Sequence, residues 1–477
     1  MTLEIFVLAL GLVLLLADFW VPAARKKYLA YFAVTALAVL FVAGFTGNGP
    51  GSVLGTAFHG AYVEDALALF FKRFFLIATI LVLFLTAEFS DQFGGGVSEY
   101  YSLIIFALSG MLFAASANDF AMLFVSIELI TVTFYVLVSY QRAKLSSLEA
   151  GVKYLIIGAL SSAFMVFGIA LILGTTGTLN FTDLAQVAPQ FVHNKIFLTG
   201  VLFVLAGLGF KISTVPFQVW TPDVYQGAPT PTTAFLAVGS KAAGFVLLLR
   251  FLFAAIPAVT EEWRNFLIIL SGITILFGNL CALPQRNLKR LLGYSSIAHA
   301  GYLLLGVAAV SASGQSALMY YLAGYLFTVT AAFTVIALVM RHLNDEDISA
   351  LAGLNQRSPL LASTMTIAMV SLAGVPPLAG FFGKFLLLKA VIEQGPANHG
   401  YYCLAFTALA GVIISFYYYF GVIRAIYWSK DPADLSPIQL SGAAKLSIAA
   451  CIAGIFWLGI FPNTVVNLAA EAAKTLK

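Results

Sequence analysis

The sequence predicts an all-α polytopic membrane protein of about fourteen transmembrane helices, with two inverted five-helix repeats that each contain a broken helix. Three observations lead there. Hydrophobic residues make up 61% of the 477-residue chain and charged residues 10%, with a mean hydropathy of +0.96; ordinary soluble domains carry about 25% charged residues. Apolar runs of about 18–25 residues, long enough to cross a bilayer, recur along the whole chain. Two of these runs are cut by proline, at KISTVPFQVW around Pro216 and at SLAGVPPLAGFFGK around Pro376 and Pro377. Each cut lies within about two helical turns of an intramembrane lysine, and such breaks are tolerated where the freed backbone lines a cavity.

In chain order the expected spans lie near 3–21, 29–46, 72–89, 101–117, 120–140, 150–174, 196–220, 230–255, 264–283, 294–312, 315–341, 360–393, 402–428 and 443–465. Residues 1–21 lack the basic n-region of a signal peptide and carry Glu4 in its place, so they read as an uncleaved first helix. A pair of interrupted helices in corresponding positions points to an inverted repeat. The chain then divides into 1–100 (helices 1–3), 101–255 (first repeat, helices 4–8), 264–428 (second repeat, helices 9–13) and 429–477 (helix 14). Lysine and arginine in the loops set the orientation. With the N-terminus outside, thirteen cations fall in inner loops, among them Arg25, Lys26, Lys27, Arg286, Lys289, Arg290 and Lys430, against seven outside, including Lys72, Arg73, Arg250 and Lys477. Both termini are therefore expected to be periplasmic.

The other five cations, Lys153, Lys211, Lys241, Lys384 and Lys389, fall inside expected helices. A lysine at the centre of a span costs about 2.5–3.5 kcal/mol on insertion scales, so it faces a partner or water unless it snorkels from a helix end. Lys389 is placed to snorkel. Glu128 reads as the only carboxylate deep within a run, and helical spacing puts it on one face with Thr131 and Tyr135. Ser295, His299 and Tyr302 share another face, and Tyr321, Tyr325 and Thr328 a third. These stripes would be costly against lipid and predict a polar interior.

Other chemistry finds no support. Cys281, Cys403 and Cys451 stand singly, without metal or disulfide spacing. Gly94-Gly95-Gly96 lacks the lysine and serine of a phosphate loop, Gly47–Gly55 reads as a polar external loop, and Asn344–Asp347 as an acidic internal loop, solvated or at a protein contact. A net charge of +4, scattered along the chain, gives no case for nucleic acid. No dinucleotide, haem or iron–sulfur motif is present, so no redox chemistry and no cofactor is expected on this chain.

The stretch VPFQVWTPDVYQGAPTP resembles the antiporter-like membrane subunits of respiratory complex I, NADH:quinone oxidoreductase, and TPDVYQGAP is similar to their N type. VSIELITV around Glu128, RNLKRLLGYSSIAHAGY around His299 and AGVPPLAGFFGKF around Lys384 extend the resemblance over most of the chain. It implies proton translocation across a bacterial inner (plasma) membrane, with Glu128 and Lys211 as a coupled pair near the cytoplasmic half-channel. Lys241 would be the central relay, His299 its extension, Lys384 the control of exit, and Lys153 a further relay position. Gln218 departs from the histidine usual in the family. The resemblance also implies partner subunits of the M, L, K, J and A types in the bilayer, and FMN, iron–sulfur clusters and quinone on other subunits. An Mrp-type sodium/proton antiporter subunit is the alternative, and it would call for more intramembrane carboxylates than Glu128. A scaffold with a vestigial channel would not be expected to retain the glutamate, the deep lysines and the histidine.

Overall fold

The computed structural model describes residues 1–22, 25–45, 55–93, 96–343, 346–428 and 436–476. Residues 47–54 of the first expected loop, Gly94-Gly95 and Asn344-Asp345 of the next two, and Lys430 and Lys477 lie outside the described residues. The chain is mostly helical, and among the described residues eleven helices are long and apolar enough to cross a membrane.

The elements run α1 (Thr2–Ala17), α2 (Lys27–Ala43), β1 (Gly55–Ala57), β2 (Tyr62–Glu64), α3 (Ala66–Phe89), α4 (Val97–Ala115), α5 (Phe120–Val138), α6 (Leu145–Thr176), α7 (Phe181–Val187), α8 (Lys195–Ile212), α9 (Thr221–Gly227), α10 (Thr230–Phe235) and α11 (Lys241–Leu249). They continue with α12 (Pro257–Glu262), α13 (Arg264–Ala282), α14 (Leu288–Ala308), α15 (Ala312–Leu343), α16 (Leu354–Arg357), α17 (Pro359–Ala373), α18 (Ala379–Glu393), α19 (Gly400–Trp428), α20 (Gly442–Ile460) and α21 (Asn463–Ala473). β1 and β2 form a small antiparallel hairpin. Helix starts follow side-chain caps: Asp65 accepts from Ala68 N at 2.8 Å, Asp119 from Ala121 N at 2.6 Å, and Asn287 from Arg290 N at 2.9 Å.

The proline cuts appear as two broken helices. Ser213 takes a φ of +61° after α8, and the chain restarts as α9 with Pro222 in its first turn. Thr214 Oγ1 lies 3.0 Å from Thr274 Oγ1 of α13, and Trp220 Nε1 donates to Phe210 O at 3.0 Å, so the freed ends are held by side chains. At the second break Gly374, with φ +91°, ends α17 before α18 begins. Ser371 Oγ accepts from Gly380 N at 3.3 Å and lies 3.1 Å from Thr328 Oγ1. A Cβ at Gly380 would come within 1.8 Å of Ser371 O, so only glycine allows this approach.

Burial separates the centre from the flanks. The apolar window of the continuous span Thr230–Ala255, made of α10 and α11, is entirely buried, and α14 and α15 are nearly so, while α6, α13 and α19 turn most of their surface outward. Two of the three polar stripes fall on the central helices α14 and α15, and the third, with Glu128, lies on the half-buried α5. Within Thr230–Ala255 two wide turns, Leu236–Ser240 and Arg250–Ala255, have π-helical geometry, and the first immediately precedes Lys241. Such turns rotate the following side chain and recur at functional positions.

Three readings from sequence are corrected. Lys72, counted as an outer-loop cation, lies in the second turn of α3, because Asp65 starts that helix at Ala66, and it is 1% exposed. Arg250, also counted outside, is buried at the end of Thr230–Ala255 and meets Asp65 through two bonds of 2.8 and 3.0 Å. Lys289, counted in an inner loop, lies in the first turn of α14 and is 3% exposed. In addition, the last span ends at Ile460 rather than 465, where Phe461-Pro462 turns the chain into α21.

Candidate functional site

The three deep lysines of the sequence are all buried, and all are held by neutral oxygens. Lys211, in the last turn of α8, donates to Thr131 Oγ1 and sits 5.8 Å from the Tyr154 ring. Lys241, after the first wide turn, donates to Ser296 O at 2.6 Å and to Ser296 Oγ. Lys384, in the second turn of α18, donates to Leu372 O at 2.7 Å and Ala373 O at 3.1 Å. Those carbonyls end α17, so the ammonium meets the negative end of a half-helix that the break left open.

Between the lysines the polar stripes interlock. Ser296 Oγ lies 3.0 Å from Tyr225 Oη and accepts from Tyr325 Oη at 3.2 Å. One turn along α14, His299 Nδ1 lies 2.5 Å from Tyr321 Oη and its Nε2 lies 2.9 Å from Tyr419 Oη. Tyr419 Oη also meets Ser295 Oγ at 2.5 Å. The Lys384 ammonium stands 4.9 Å from the Tyr302 ring, three positions beyond His299. Thus α14 supplies Ser295, Ser296, His299 and Tyr302 to a polar seam that α11, α15, α18 and α19 close. Gly244, one turn after Lys241, packs on Lys211: a Cβ there would lie 3.1 Å from Lys211 Cβ. Glycine brings the first two lysine-bearing helices together.

Glu128 and Lys211 do not form a direct ion pair among the described residues. The half-buried Glu128 carboxylate accepts from Ser162 Oγ of α6 at 2.5 Å, and Thr131, one turn on, takes the lysine instead. Glu128 and Thr131 share a face, as the spacing requires. Gln218, between α8 and α9, is 5% exposed, and its Oε1 is buried without a hydrogen-bond partner.

Lys153 lies apart from this seam. Its side chain is 42% exposed near the start of α6, where it meets Glu149 and Asp223, each at 2.7 Å. Asp223 in turn meets Arg290 at 2.5 Å. Burial raises the Asp223 carboxyl, but the bonds to Lys153 and Arg290 outweigh it and hold the group below the usual carboxylate value. Lys389 is exposed and lies 3.8 Å from Glu393.

Sequence reasoning missed Ser162, Tyr225, Ser296 and Tyr419. Each lies on a helix whose tyrosines and serines could equally serve packing, and only its neighbour across the interface marks it. It also missed the cluster in which Lys72 Nζ meets Glu4 Oε1 at 2.7 Å, Tyr62 Oη at 2.8 Å and Glu64 Oε1 at 3.0 Å. Among the described residues no group of three or more histidine, cysteine, aspartate or glutamate side chains could hold a metal ion.

The chain is similar to known proteins along nearly all its length. Residues 117–413 match the membrane-spanning family described as NADH:quinone oxidoreductase/Mrp antiporter. NADH-quinone oxidoreductase subunit N of Desulforamulus reducens is 40% identical over 474 residues, 99% of this chain and 98% of that one. A chain of respiratory complex I from Thermus thermophilus, solved with bound aureothin, superposes with a TM-score of 0.81 at 32% identity, covering 98% of this chain and 99% of its own. A chain of the Mrp complex from a Dietzia species superposes with a TM-score of 0.85 over 100% of this chain and 98% of its own, at 21% identity, which speaks for the fold alone. With the family match over more than half of the chain and identity at this level from end to end, the chain belongs to the subunit N family of NADH-quinone oxidoreductases, the antiporter-like membrane subunits of complex I.

Proposed function

We propose that the chain translocates protons through the buried lysines Lys211, Lys241 and Lys384, with Glu128 at the entry end and His299 between the last two. The observation that carries this reading is the partner set. Each ammonium rests on serine, threonine or backbone oxygen, so its proton can leave without breaking an ion pair. The Ser296, Tyr325, His299, Tyr321 and Tyr419 hydroxyl and imidazole groups supply intermediate donors and acceptors, which is what a relay between fixed sites needs. Glu128 is one turn from the threonine that holds Lys211. A rotation that moved the ammonium from Thr131 to the carboxylate would form and release the coupled pair. Lys153 belongs at the surface end of α6, with Asp223 and Arg290, rather than in the relay.

Moving one charge against the membrane potential costs about 2.3 kcal/mol per 100 mV, an energy that two charges switching partners in a low-dielectric site can exchange. Quinone reduction by other subunits of the complex, which carry the flavin and iron–sulfur centres, supplies it. The partners are the other antiporter-like and small membrane subunits, in a bacterial inner membrane.

The finer architecture belongs to the same proposal. The eleven long spans, the two shorter helices α1 and α2, and the broken pair α17–α18 give fourteen crossings. With the cations of Arg25–Lys27 and Arg286–Arg290, at the starts of α2 and α14, inside, both termini are periplasmic. Residues 101–255 and 264–428 would be the inverted repeats, with 1–100 and 429–477 flanking them. Their correspondence is supported by one break in each, at α8–α9 and α17–α18, with a lysine beside it.

The test is Lys211→Ala and Lys211→Arg in the assembled complex, with proton pumping and quinone reduction followed in sealed vesicles. Both variants are expected to pump poorly, the arginine because it does not release a proton in this range. Normal pumping by Lys211→Ala would overturn the relay.

A further inference from the structure

The relay leaves unused a cavity outside the polar seam. A groove of about 550 Å³ opens between α2, α3, α15, α20 and α21, with walls that are almost wholly apolar. Its floor is shallow on one side because α20 presents Ala450 and Ala453, both on the exposed face. One cation enters it, Arg73 of α3. Arg73 Nη2 donates to Gly44 O at 3.1 Å and the guanidinium lies 4.1 Å from the Phe45 ring, which fixes it at the end of α2. Its Nε is buried without a hydrogen-bond partner. Among the described residues no carboxylate pairs with it, and Glu471, the carboxylate at the mouth, is taken by Lys474 at 2.6 Å.

The depth of this arginine is marked three ways. It sits level with the last turn of α2, through the Gly44 carbonyl. Trp457, in the last turn of α20, lines the same mouth, as aromatic residues do where hydrocarbon meets headgroups. The short helix α21 crosses the mouth and turns Val465 and Leu468 into it, the posture of an interfacial helix. From there the groove runs along α3 to Ile77 and along α15 to Leu326.

A guanidinium that lacks an anion, at headgroup depth above an apolar groove, complements one kind of molecule. We propose that the groove binds a membrane phospholipid, with its phosphate on Arg73 and an acyl chain between α3, α15 and α20. Guanidinium pairs with phosphate through charge-assisted hydrogen bonds, and the stranded Nε is one donor such a pair would use.

The experiment uses the assembled complex in vesicles that contain a phospholipid with a photoactivatable group in one acyl chain, and in parallel the matching diacylglycerol without phosphate. The phospholipid should label α15 around Ala323–Phe327 and α20 around Ala450–Leu458. Ala453→Phe, which fills the groove from its exposed face, should bring that labelling to background, while Ala449→Phe on the outer face of α20 should not. Arg73→Gln should cut phospholipid labelling about ten-fold, the scale of one lost charged hydrogen bond, and leave diacylglycerol labelling unchanged. Arg73→Lys should restore part of it. Equal labelling of the Ala453→Phe and Ala449→Phe variants would overturn the site. So would a crosslinker placed at Ala453 that captured a neighbouring subunit instead of lipid, since the groove would then be a protein interface.

Discussion

Lys72 and Lys241 are each 1% exposed, each on a helix that crosses the membrane, and their surroundings are opposite. Lys72 meets Glu4 and Glu64 within 3.0 Å, with Tyr62 bridging. Among the described residues Lys241 meets the carbonyl and hydroxyl of Ser296 and no carboxylate. Burial disfavours any charge, and a neighbouring carboxylate opposes that for an ammonium. The Lys72 cluster is therefore a closed set of charges that ties α1, the hairpin and α3 together. The Lys241 site leaves the ammonium on neutral oxygens at the head of a chain of hydroxyls. Equal burial thus does not mean equal role; the partner decides.

The comparison breaks most readily at Lys241. Lys241→Met should lower coupled proton pumping by about a hundred-fold or more, the usual scale for a lost positioned proton carrier. The complex should still assemble and keep its thermal stability, because no partner charge is stranded. Pumping measured by a pH-sensitive dye in vesicles, beside the thermal inactivation temperature, separates the two effects. Lys72→Met should do the reverse. It leaves the two buried carboxylates sharing the Met1 ammonium, 3.4 Å from Glu4 and 3.1 Å from Glu64, at a cost of about 3–5 kcal/mol, and should show as poor assembly or a lowered inactivation temperature. Adding Glu4→Gln and Glu64→Gln should recover much of that stability. If the Lys72 variant assembled normally and failed only in pumping, the division between the two sites would be wrong.

A smaller effect sharpens the seam itself. Tyr419→Phe removes the hydroxyl between His299 Nε2 and Ser295 Oγ but keeps the ring. With about 1 kcal/mol at stake per hydrogen bond, pumping should fall roughly five-fold, with assembly intact. Tyr418→Phe, at a residue that bonds Asn279 and not the histidine, should change it less.

Much of this was legible in the sequence because a bilayer writes plainly. A span must be a long apolar helix, so the runs appeared, and proline cannot donate, so the two breaks appeared beside their lysines. The depth of Lys211, Lys241 and Lys384 followed from the same rule. The failures have a common cause as well. Lys72 and Glu4 stand within two turns of helix starts, where a charge is usually solvated, and only the hairpin carrying Tyr62 and Glu64 covers them. That hairpin comes from a short polar segment with no periodicity to announce it. Ser296 and Tyr419 depend on which helix packs against which, and a single helix does not record its neighbour. Glu128 found Ser162 on α6 rather than Lys211 for that reason: the spacing fixes the face of α5, not the partner opposite it.

The smallest expected effect belongs to Lys153, the one lysine of the expected relay that lies at the surface. Its carboxylate partner Asp223 keeps Arg290 at 2.5 Å when the lysine is removed, so no buried charge is stranded. The lost pair is exposed and should contribute less than about 1 kcal/mol. Because the Asp223 carboxyl is held below its ordinary value, the stability it adds is fully present at neutral pH and fades only as pH falls through that lowered value. Lys153→Ala should therefore narrow the acid side of the stability profile slightly and leave pumping at neutral pH within about two-fold of the parent. Lys389→Ala, which gives up only a loose exposed pair with Glu393 at 3.8 Å, sets the floor for that comparison. Pumping that fell with Lys153→Ala as far as with Lys241→Met would move the start of the relay out to the surface of α6, and the neutral-oxygen rule would then no longer tell a carrier from a clamp.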